Sequence, residues 1–476
     1  MTWFAVLSGL GHAVLATAGL LVYVLATRIG HQRRHPSAAL GWVVAMVGFP
    51  YVALPLFLLI GTRKFVRPLR RPRGAVAAPS PDRETFTSAV WATQLLACME
   101  LAPAVPNQSI RWHADGAAAL LGLMRTIDSA SHSLDVCTFV FANDEIGNQV
   151  AKALLRAVER RVVVRLLVDA VGSMHVPQSM LRQLQEGGVQ VQRFMPLFHN
   201  PMRGRTNLRN HRKLAIADRQ YLWSGGRNLA VEYFISKPGR PAWVDLSYEV
   251  HGPLAEMAAA QFTGDWLAAS GRPTGPAAET APQAPAPDNL LASSSGAGHA
   301  WAQWVPSGPD HADDTVHTLL LAGAYQAQRR IVAVTPYFVP DDALLEAWCL
   351  ACRRGVQVRL LVPRQSNHRL ADWARERALR ELAAAGAQVW LAPGMVHAKA
   401  VIIDDDLALS GSLNLDARSL FLNYEVMAAF YGEDELDWLS HWCDGQIAQA
   451  QPFQARKPSW MRDVGEGIVR SVGFQL

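Results

Sequence analysis

The chain has 476 residues, 50% of them hydrophobic and 18% charged, with a net charge of +5. That is too long for one ordinary domain and too apolar for a disordered chain. The mild basic excess points to an anionic partner such as nucleic acid, acidic lipid or a phosphorylated substrate, and five cysteines exclude a disulfide scaffold.

The longest apolar runs come first. Trp3 to Thr27 holds 25 residues without a charge, enough to cross a hydrocarbon core as a helix, and Ala38 to Ile60 holds another 23. Pro50 and Pro55 fall inside the second run and predict a kink or a re-entrant bend there. A cleaved signal peptide does not fit, because no basic residue precedes the first run and the second follows at once. Arg28, Arg33 and Arg34 stand between the runs, and Arg63, Lys64, Arg67, Arg70, Arg71 and Arg73 follow them. Six against three places the segment after the second run, with Met1 and the large C-terminal region, on the cytoplasmic side. The basic cluster would also attract anionic headgroups there.

Residues 74–82 are rich in Ala, Pro and Ser and read as a linker, and 83–110 carry no pattern that places them on the core or on the membrane. Next come a helix over Ala117–Ile127, a strand over Ser133–Phe141, a helix over Glu145–Arg160 and a buried strand over Val162–Val168. The second half repeats the order: helix Thr315–Gln328, strand Ile331–Tyr337, helix Asp342–Arg354, strand Val356–Val362. Val356-Gln-Val-Arg-Leu-Leu-Val362 echoes Val162-Val-Val-Arg-Leu-Leu-Val168 at an offset of 194 residues, and Gly386-Ala-Gln-Val389 echoes Gly188-Val-Gln-Val191. Such alternation, present twice, predicts a duplicated, parallel-rich α/β architecture. The boundaries follow: a hairpin over 1–62, a basic juxtamembrane segment and linker over 63–112, a first domain over 113–271, a Pro/Ala-rich connector over 272–298 and a second domain over 299–476. Cys349 and Cys352 form a lone CxxC without a second pair at zinc spacing and read as helix packing. Trp301, Trp304, Trp438 and Trp442 read as buried aromatic packing rather than a membrane-facing stretch.

The chemistry is concentrated in one motif that occurs twice. His211, Lys213, Asp218, Gly225 and Asn228 recur as His397, Lys399, Asp404, Gly411 and Asn414 with identical spacing. One His-x-Lys-x4-Asp is a weak signal, but two at the same place in a duplicated fold are not accidental. On a strand, His and Lys two apart point to one face. Gly225-Gly226 and Gly411-Ser412 allow close backbone approach, and Asn228 and Asn414 bring amide donors. Two such units together make a cationic, donor-rich pocket suited to a phosphate ester, without the carboxylate or thiolate cluster that holds a divalent metal. Two histidines allow covalent phosphoryl transfer, one attacking phosphorus and the other moving the proton. Each needs a carboxylate to fix its tautomer; Asp245 and Glu425, which follow the two histidines by 34 and 28 residues, are the candidates, with ordinary salt bridges as the alternative. Asp218 and Asp404 have a structural alternative too, holding the strand–turn geometry or neutralising Lys.

The paired motif resembles the phospholipase D superfamily. Arg209-Asn-His-Arg-Lys213, Ser307-Gly-Pro-Asp310, Thr335-Pro-Tyr-Phe-Val-Pro-Asp341, Gly411-Ser-Leu-Asn-Leu-Asp-Ala-Arg-Ser419 and the N-terminal hairpin with His35-Pro36-Ser37 narrow the likeness to bacterial cardiolipin synthases, from about residue 3 to at least 433. That resemblance implies two duplicated phospholipase D-like α/β sandwich domains around one active site, preceded by a two-helix transmembrane hairpin, in a multi-pass protein of the bacterial inner membrane with its catalytic domains in the cytoplasm. It implies transfer of a phosphatidyl group between two phosphatidylglycerol molecules, giving cardiolipin and glycerol, with membrane lipids as the partners, no nucleic acid and no metal or other cofactor. His211, Lys213, Asp218, His397, Lys399 and Asp404 take the family's catalytic positions, with His211 as nucleophile and His397 as acid and base. Asn228, Asn414, Ser412 and Gly226 are expected at the phosphate, and Asp245 and Glu425 behind the histidines. The chain departs from the family at Val244-Asp-Leu-Ser247, where an Arg-Asp with a His two residues on is usual, and at Met395-Val396, where an aromatic or Leu is common. A hydrolase with the same intermediate is the second reading. A nuclease is a third, disfavoured because the basic residues cluster beside the spans and no aromatic–basic interleaving flanks the motifs.

Overall fold

A computed structural model describes residues 3–29, 36–60, 89–196, 207–270, 300–311 and 313–460, with Arg462 and Glu466. The basic cluster at 63–73, the linker at 74–82 and the connector at 272–298 lie outside these residues. The first helices are α1 (Trp3–Ile29), α2 (Pro36–Gly48) and α3 (Pro50–Ile60). The second apolar run breaks at Phe49 because Pro50 has no N–H to continue the ladder of α2, whereas Pro55 stays inside α3. Tyr23, Met46, Ala53 and Phe57 pack the three together. Gly19 permits the approach: a Cβ there would sit 2.8 Å from the Met46 sulfur. Leu10, Val14, Leu21, Val44, Phe49 and Val52 remain exposed on the outside of this unit. The side chains of α1 are described over 9–25, and among the described residues no helix is long and apolar enough to cross a membrane.

The chain then forms α4 (Val90–Cys98), β1 (Val105–Asn107), β2 (Ser109–His113), α5 (Gly116–Ser129), β3 (Ser133–Thr138), α6 (Glu145–Glu159), β4 (Val163–Asp169), α7 (Gln178–Glu186), β5 (Gln190–Phe194), β6 (Leu214–Ala217), β7 (Tyr221–Gly225), β8 (Ser247–His251) and α8 (Pro253–Ala269). Asp115 and Asp144 start α5 and α6 by accepting the amides of Ala118 and Gly147. The second half repeats this with β9 (Ala300–Ser307), α9 (Thr315–Gln326), β10 (Arg330–Val334), β11 (Phe338–Val339), α10 (Asp342–Arg353), β12 (Gln357–Pro363), α11 (Arg369–Ala384), β13 (Gln388–Ala392), β14 (Ala400–Ile403), β15 (Leu407–Gly411), β16 (Leu415–Asp416), α12 (Ala417–Phe421), β17 (Glu425–Phe430), α13 (Glu433–Ala448) and β18 (Gln451–Pro452). Gly188 and Gly386 enter β5 and β13 at φ of +92° and +110°, the same left-handed turn in both copies.

The two main sheets have the orders β2-β8-β7-β6-β3-β4-β5 and β1-β9-β17-β15-β14-β10-β12-β13-β18. Within them, parallel pairing is confined to β3-β4-β5 and β10-β12-β13. The motif strands pair antiparallel, so the fold is mixed rather than parallel-rich. Three residues join β6 to β7, too few for the crossover a parallel pair needs. The first pass of chain crosses over: β1 pairs with β9, and Ala92 and Leu96 of α4 enter the core of the second half. The halves share an apolar core as well. Leu222, Tyr248 and Phe262 cluster with Ile402, Val426 and Phe430, and Trp112 stacks on Trp438 at 5.1 Å. Trp304 is buried, and Cys349 of the CxxC faces the core of the second half from α10.

Candidate active site

Each His-x-Lys lies in the extended chain leading into β6 or β14 rather than within the strand. Two backbone bridges between the halves fix these segments. His211 N donates to Tyr424 O (2.9 Å) and Tyr424 N to Arg209 O (2.8 Å); His397 N donates to Val244 O (2.7 Å) and Val244 N to Met395 O (2.9 Å). Each histidine segment therefore runs beside the carboxylate-bearing segment of the opposite half.

The carboxylates pair crosswise. His211 Nδ1 is 3.0 Å from Glu425 Oε2, and His397 Nδ1 is 2.7 Å from Asp245 Oδ2. Sequence spacing had attached Asp245 and Glu425 to the histidines that precede them; the fold exchanges them. Because a carboxylate only accepts, Nδ1 carries the hydrogen in both rings and Nε2 keeps its lone pair. Glu425 also accepts from Ser412 Oγ (2.5 Å) and Asn423 Nδ2 (3.3 Å), and Asp245 Oδ1 from its neighbour Leu246 N (2.7 Å). Gly226 is required behind Asp245, since a Cβ there would lie 2.2 Å from Oδ1. Phe139 packs edge-on against His211 at 4.9 Å, and Tyr233 and Trp243 against His397 at 5.0 and 5.6 Å.

Lys213 Nζ donates to His211 O (2.5 Å), and Lys399 Nζ donates to His397 O and lies 2.8 Å from the ring Nδ1. All four side chains are buried. Burial pushes the His211 imidazole down to about 4 against the pull of Glu425. Burial and then Lys399 push His397 down to about 3 against Asp245. Burial likewise lowers Lys213 to about 7 and Lys399 to about 8. Burial raises Asp245 and Glu425, but the facing imidazoles and ammonium groups outweigh it and hold both below the ordinary carboxylate range. The pocket thus holds two neutral imidazoles, two carboxylates and two lysines close to their ionisation point.

Other predicted residues sit further back. Asn228 accepts from Val140 N (3.2 Å) and donates to Tyr233 Oη (2.7 Å), while Asn414 Oδ1 is buried without a hydrogen bond. Ser412 gives its carbonyl to His211 Nδ1 (3.1 Å). Asp218 and Asp404 lie at the other ends of β6 and β14. Asp218 accepts the amides of Ser131, His132 and Ser133 at 2.8 Å each, and Asp404 those of Gln328, Arg329 and Arg330 at 2.7–2.9 Å. Replacing Asp404 by Asn leaves one oxygen for two of the three amides and turns an N–H toward the third. The expected cost is about 2–3 kcal/mol, read as a fall of several degrees in the thermal midpoint of unfolding. An unchanged midpoint would show that the carboxylate does not hold this turn.

Sequence reasoning missed Arg212 and Arg227. Arg212, between His and Lys, points away from the pocket and joins Asp265 (2.5 Å) in the first half to the carbonyls of Glu425 and Ser307 in the second. Arg227 is buried behind Asp245 and donates to the carbonyls of His113, Ala114 and Tyr233. No pattern marked them, since Arg212 stands between His211 and Lys213 and Arg227 between Gly226 and Asn228. The longer motifs frame the same place: Asp310 lies 3.6 Å from Arg212, Thr335 Oγ1 accepts from Leu415 N, and Asp416 caps α12 through Ser419 N. Among the described residues no three His, Cys, Asp or Glu are grouped to hold a metal ion.

The family profile described as "Cardiolipin synthase, PLD-like domain" matches residues 123–238 and 320–445, once per half. Cardiolipin synthase A of Escherichia coli O157:H7 is 30% identical over 481 aligned residues, covering 93% of this chain and 94% of the relative. Cardiolipin synthase A of Shigella boydii is 29% identical over 479, with the same coverage. Among solved structures, phosphatidylserine synthase of Haemophilus influenzae shares the fold, with a TM-score of 0.61 at 15% identity over 81% of this chain and all of that one.

Proposed function

The chain belongs to the cardiolipin synthase family of phospholipase D-like proteins, and from that premise we propose that it transfers a phosphatidyl group from one phosphatidylglycerol to another, giving cardiolipin and glycerol. The observation that carries the reading is the crossed pair of His–carboxylate contacts in one buried, lysine-lined pocket.

His211 Nε2 attacks the donor's phosphorus, forming a P–N bond as the P–O bond to glycerol breaks. Protonated His397 gives its proton to the departing oxygen. The now neutral His397 takes the proton from the acceptor's hydroxyl, whose oxygen attacks phosphorus and releases His211. Glu425 holds His211 and Asp245 holds His397 with Nε2 forward, and each stabilises the imidazolium its ring becomes. Lys213, Lys399 and Asn414 face the phosphoryl oxygens. The order of the histidines follows the family likeness; the geometry is symmetric and serves either order. Asp218 and Asp404 act as positioning residues that brace the strands carrying the motif. An incoming phosphodiester anion raises the pKa values of His397 and both lysines, so His397 takes up from solvent, as the substrate binds, the proton needed for the first step.

Because burial lowers the free-enzyme lysines to about 7 and 8, their loss of charge is expected to steepen the alkaline fall of kcat/KM above about pH 7–8 rather than near the ordinary lysine range. A pH profile of kcat/KM on mixed micelles reads this directly; an alkaline limb only above about pH 10 would contradict depressed lysines.

We place α1 and α2–α3 in the bilayer and the catalytic halves on the cytoplasmic side. The uncharged runs, the exposed apolar faces of this unit and the basic excess after 60 support it. The test of function is incubation with head-group- and acyl-labelled phosphatidylglycerol in micelles without added metal, followed by lipid chromatography. Cardiolipin with free glycerol is expected. Phosphatidic acid with glycerol and no cardiolipin would make the protein a hydrolase.

A further inference from the structure

A cavity of about 450 Å³ opens where β12 passes into α11, lined by Arg364, Ser366, Arg369 and Arg375 among others. That volume suits a head group rather than a water. It lies at the same end of the sheet as His397, because β10 and β12 run parallel and β14 runs against them. Tyr337 Oη donates to Asn367 Oδ1 (2.5 Å) and its ring meets His368 at 5.5 Å, beside the cavity.

The donors of this cavity are unfilled. Arg375 is 2% exposed and lines the wall. Its Nη2 donates to Arg364 O (3.0 Å), its Nη1 has only a charge contact with Asp372 (3.1 Å), and Nε has no hydrogen-bond partner. A buried guanidinium N–H without an acceptor is costly, which points to an absent acceptor. Arg364 and Arg369 are exposed at the mouth, and neither guanidinium has an ion pair or hydrogen bond among the described residues. Asp372 spends one oxygen on Ser366 N, and Glu376 faces Arg462, so the lining keeps a cationic excess. On the same helix Leu370 and Trp373 stay 55% and 48% exposed. A basic cavity beside an exposed Leu and Trp fits an anionic head group still attached to its lipid.

We propose that this cavity binds the phosphodiester of a second anionic lipid while the first occupies the histidines. The assignment rests on the transferase reading above, and it gives Arg364 and Arg369 the role of specificity-determining residues outside the paired motif.

The experiment compares the parent enzyme with R364Q/R369Q, both surface positions, in mixed micelles at fixed detergent and ionic strength, varying phosphatidylglycerol. The expected result is a rise in KM of roughly tenfold with a much smaller change in kcat. Arg377→Gln, a charge loss elsewhere on α11, is expected to keep the parent KM. An unchanged KM in the double variant overturns the proposal, as does an equal rise in R377Q, which would reduce the effect to general surface charge. Inorganic phosphate added as competitor separates the source. Inhibition of the parent but not of the double variant, with KM for the lipid unaltered, would make this a free-phosphate site and overturn the lipid assignment. Parent enzyme that forms no cardiolipin would instead break the transferase reading, so the two failures are distinguishable.

Discussion

His211→Ala and His397→Ala are each expected to lower cardiolipin formation by at least about 10,000-fold while the protein stays folded. Without the nucleophile no covalent phosphatidyl intermediate forms. Without the other imidazole the glycerol oxygen leaves as an alkoxide and the acceptor hydroxyl keeps its proton. The fold survives because both histidine segments are held by main-chain bonds, His211 N to Tyr424 O and His397 N to Val244 O, which alanine retains. Far-UV circular dichroism and the thermal midpoint check folding; lipid chromatography checks turnover. Parent-level activity in either variant would end the two-histidine mechanism.

Asp245→Asn and Glu425→Gln are expected to lower turnover by roughly 100- to 10,000-fold, through different histidines. An amide favours the wrong tautomer of its imidazole partner and does not stabilise the imidazolium. The crossed pairing makes the two losses separable. Asp245 holds His397 at 2.7 Å, so Asp245→Asn weakens proton delivery. Glu425 holds His211 at 3.0 Å, so Glu425→Gln weakens the nucleophile. With a phosphatidyl ester of p-nitrophenol the leaving group needs no proton. Asp245→Asn should then keep its burst of nitrophenolate while Glu425→Gln loses it. The opposite pattern would exchange the roles of the two histidines, or return each carboxylate to the histidine of its own half.

The duplicated helix–strand order was legible because both copies keep one hydrophobic pattern, as β4 and β12 show. The paired His and Lys were legible because their spacing repeats. The exchange of carboxylates was not. His211 and Glu425 are 214 residues apart, His397 and Asp245 are 152 apart, and nothing in either segment records which half it will face. The place of α4 and β1 was hidden for the same reason: a three-residue strand has too little pattern to name its partner, which proves to be β9. Asp218 and Asp404 show the limit of reading a motif as a list of reacting groups. Both sit at positive φ, 52° and 51°, in the turn after the motif strand and bind backbone amides there. Spacing fixes their position without revealing what they touch.

The covalent two-step transfer is tested most directly by stereochemistry at phosphorus. Phosphatidylglycerol made chiral as a single phosphorothioate diastereomer is converted, and the configuration of the cardiolipin formed is read by phosphorus NMR. Two in-line displacements through a phosphohistidine give net retention, which is the expected result. Inversion would mean that the acceptor hydroxyl attacks the donor directly, with the histidines moving protons only.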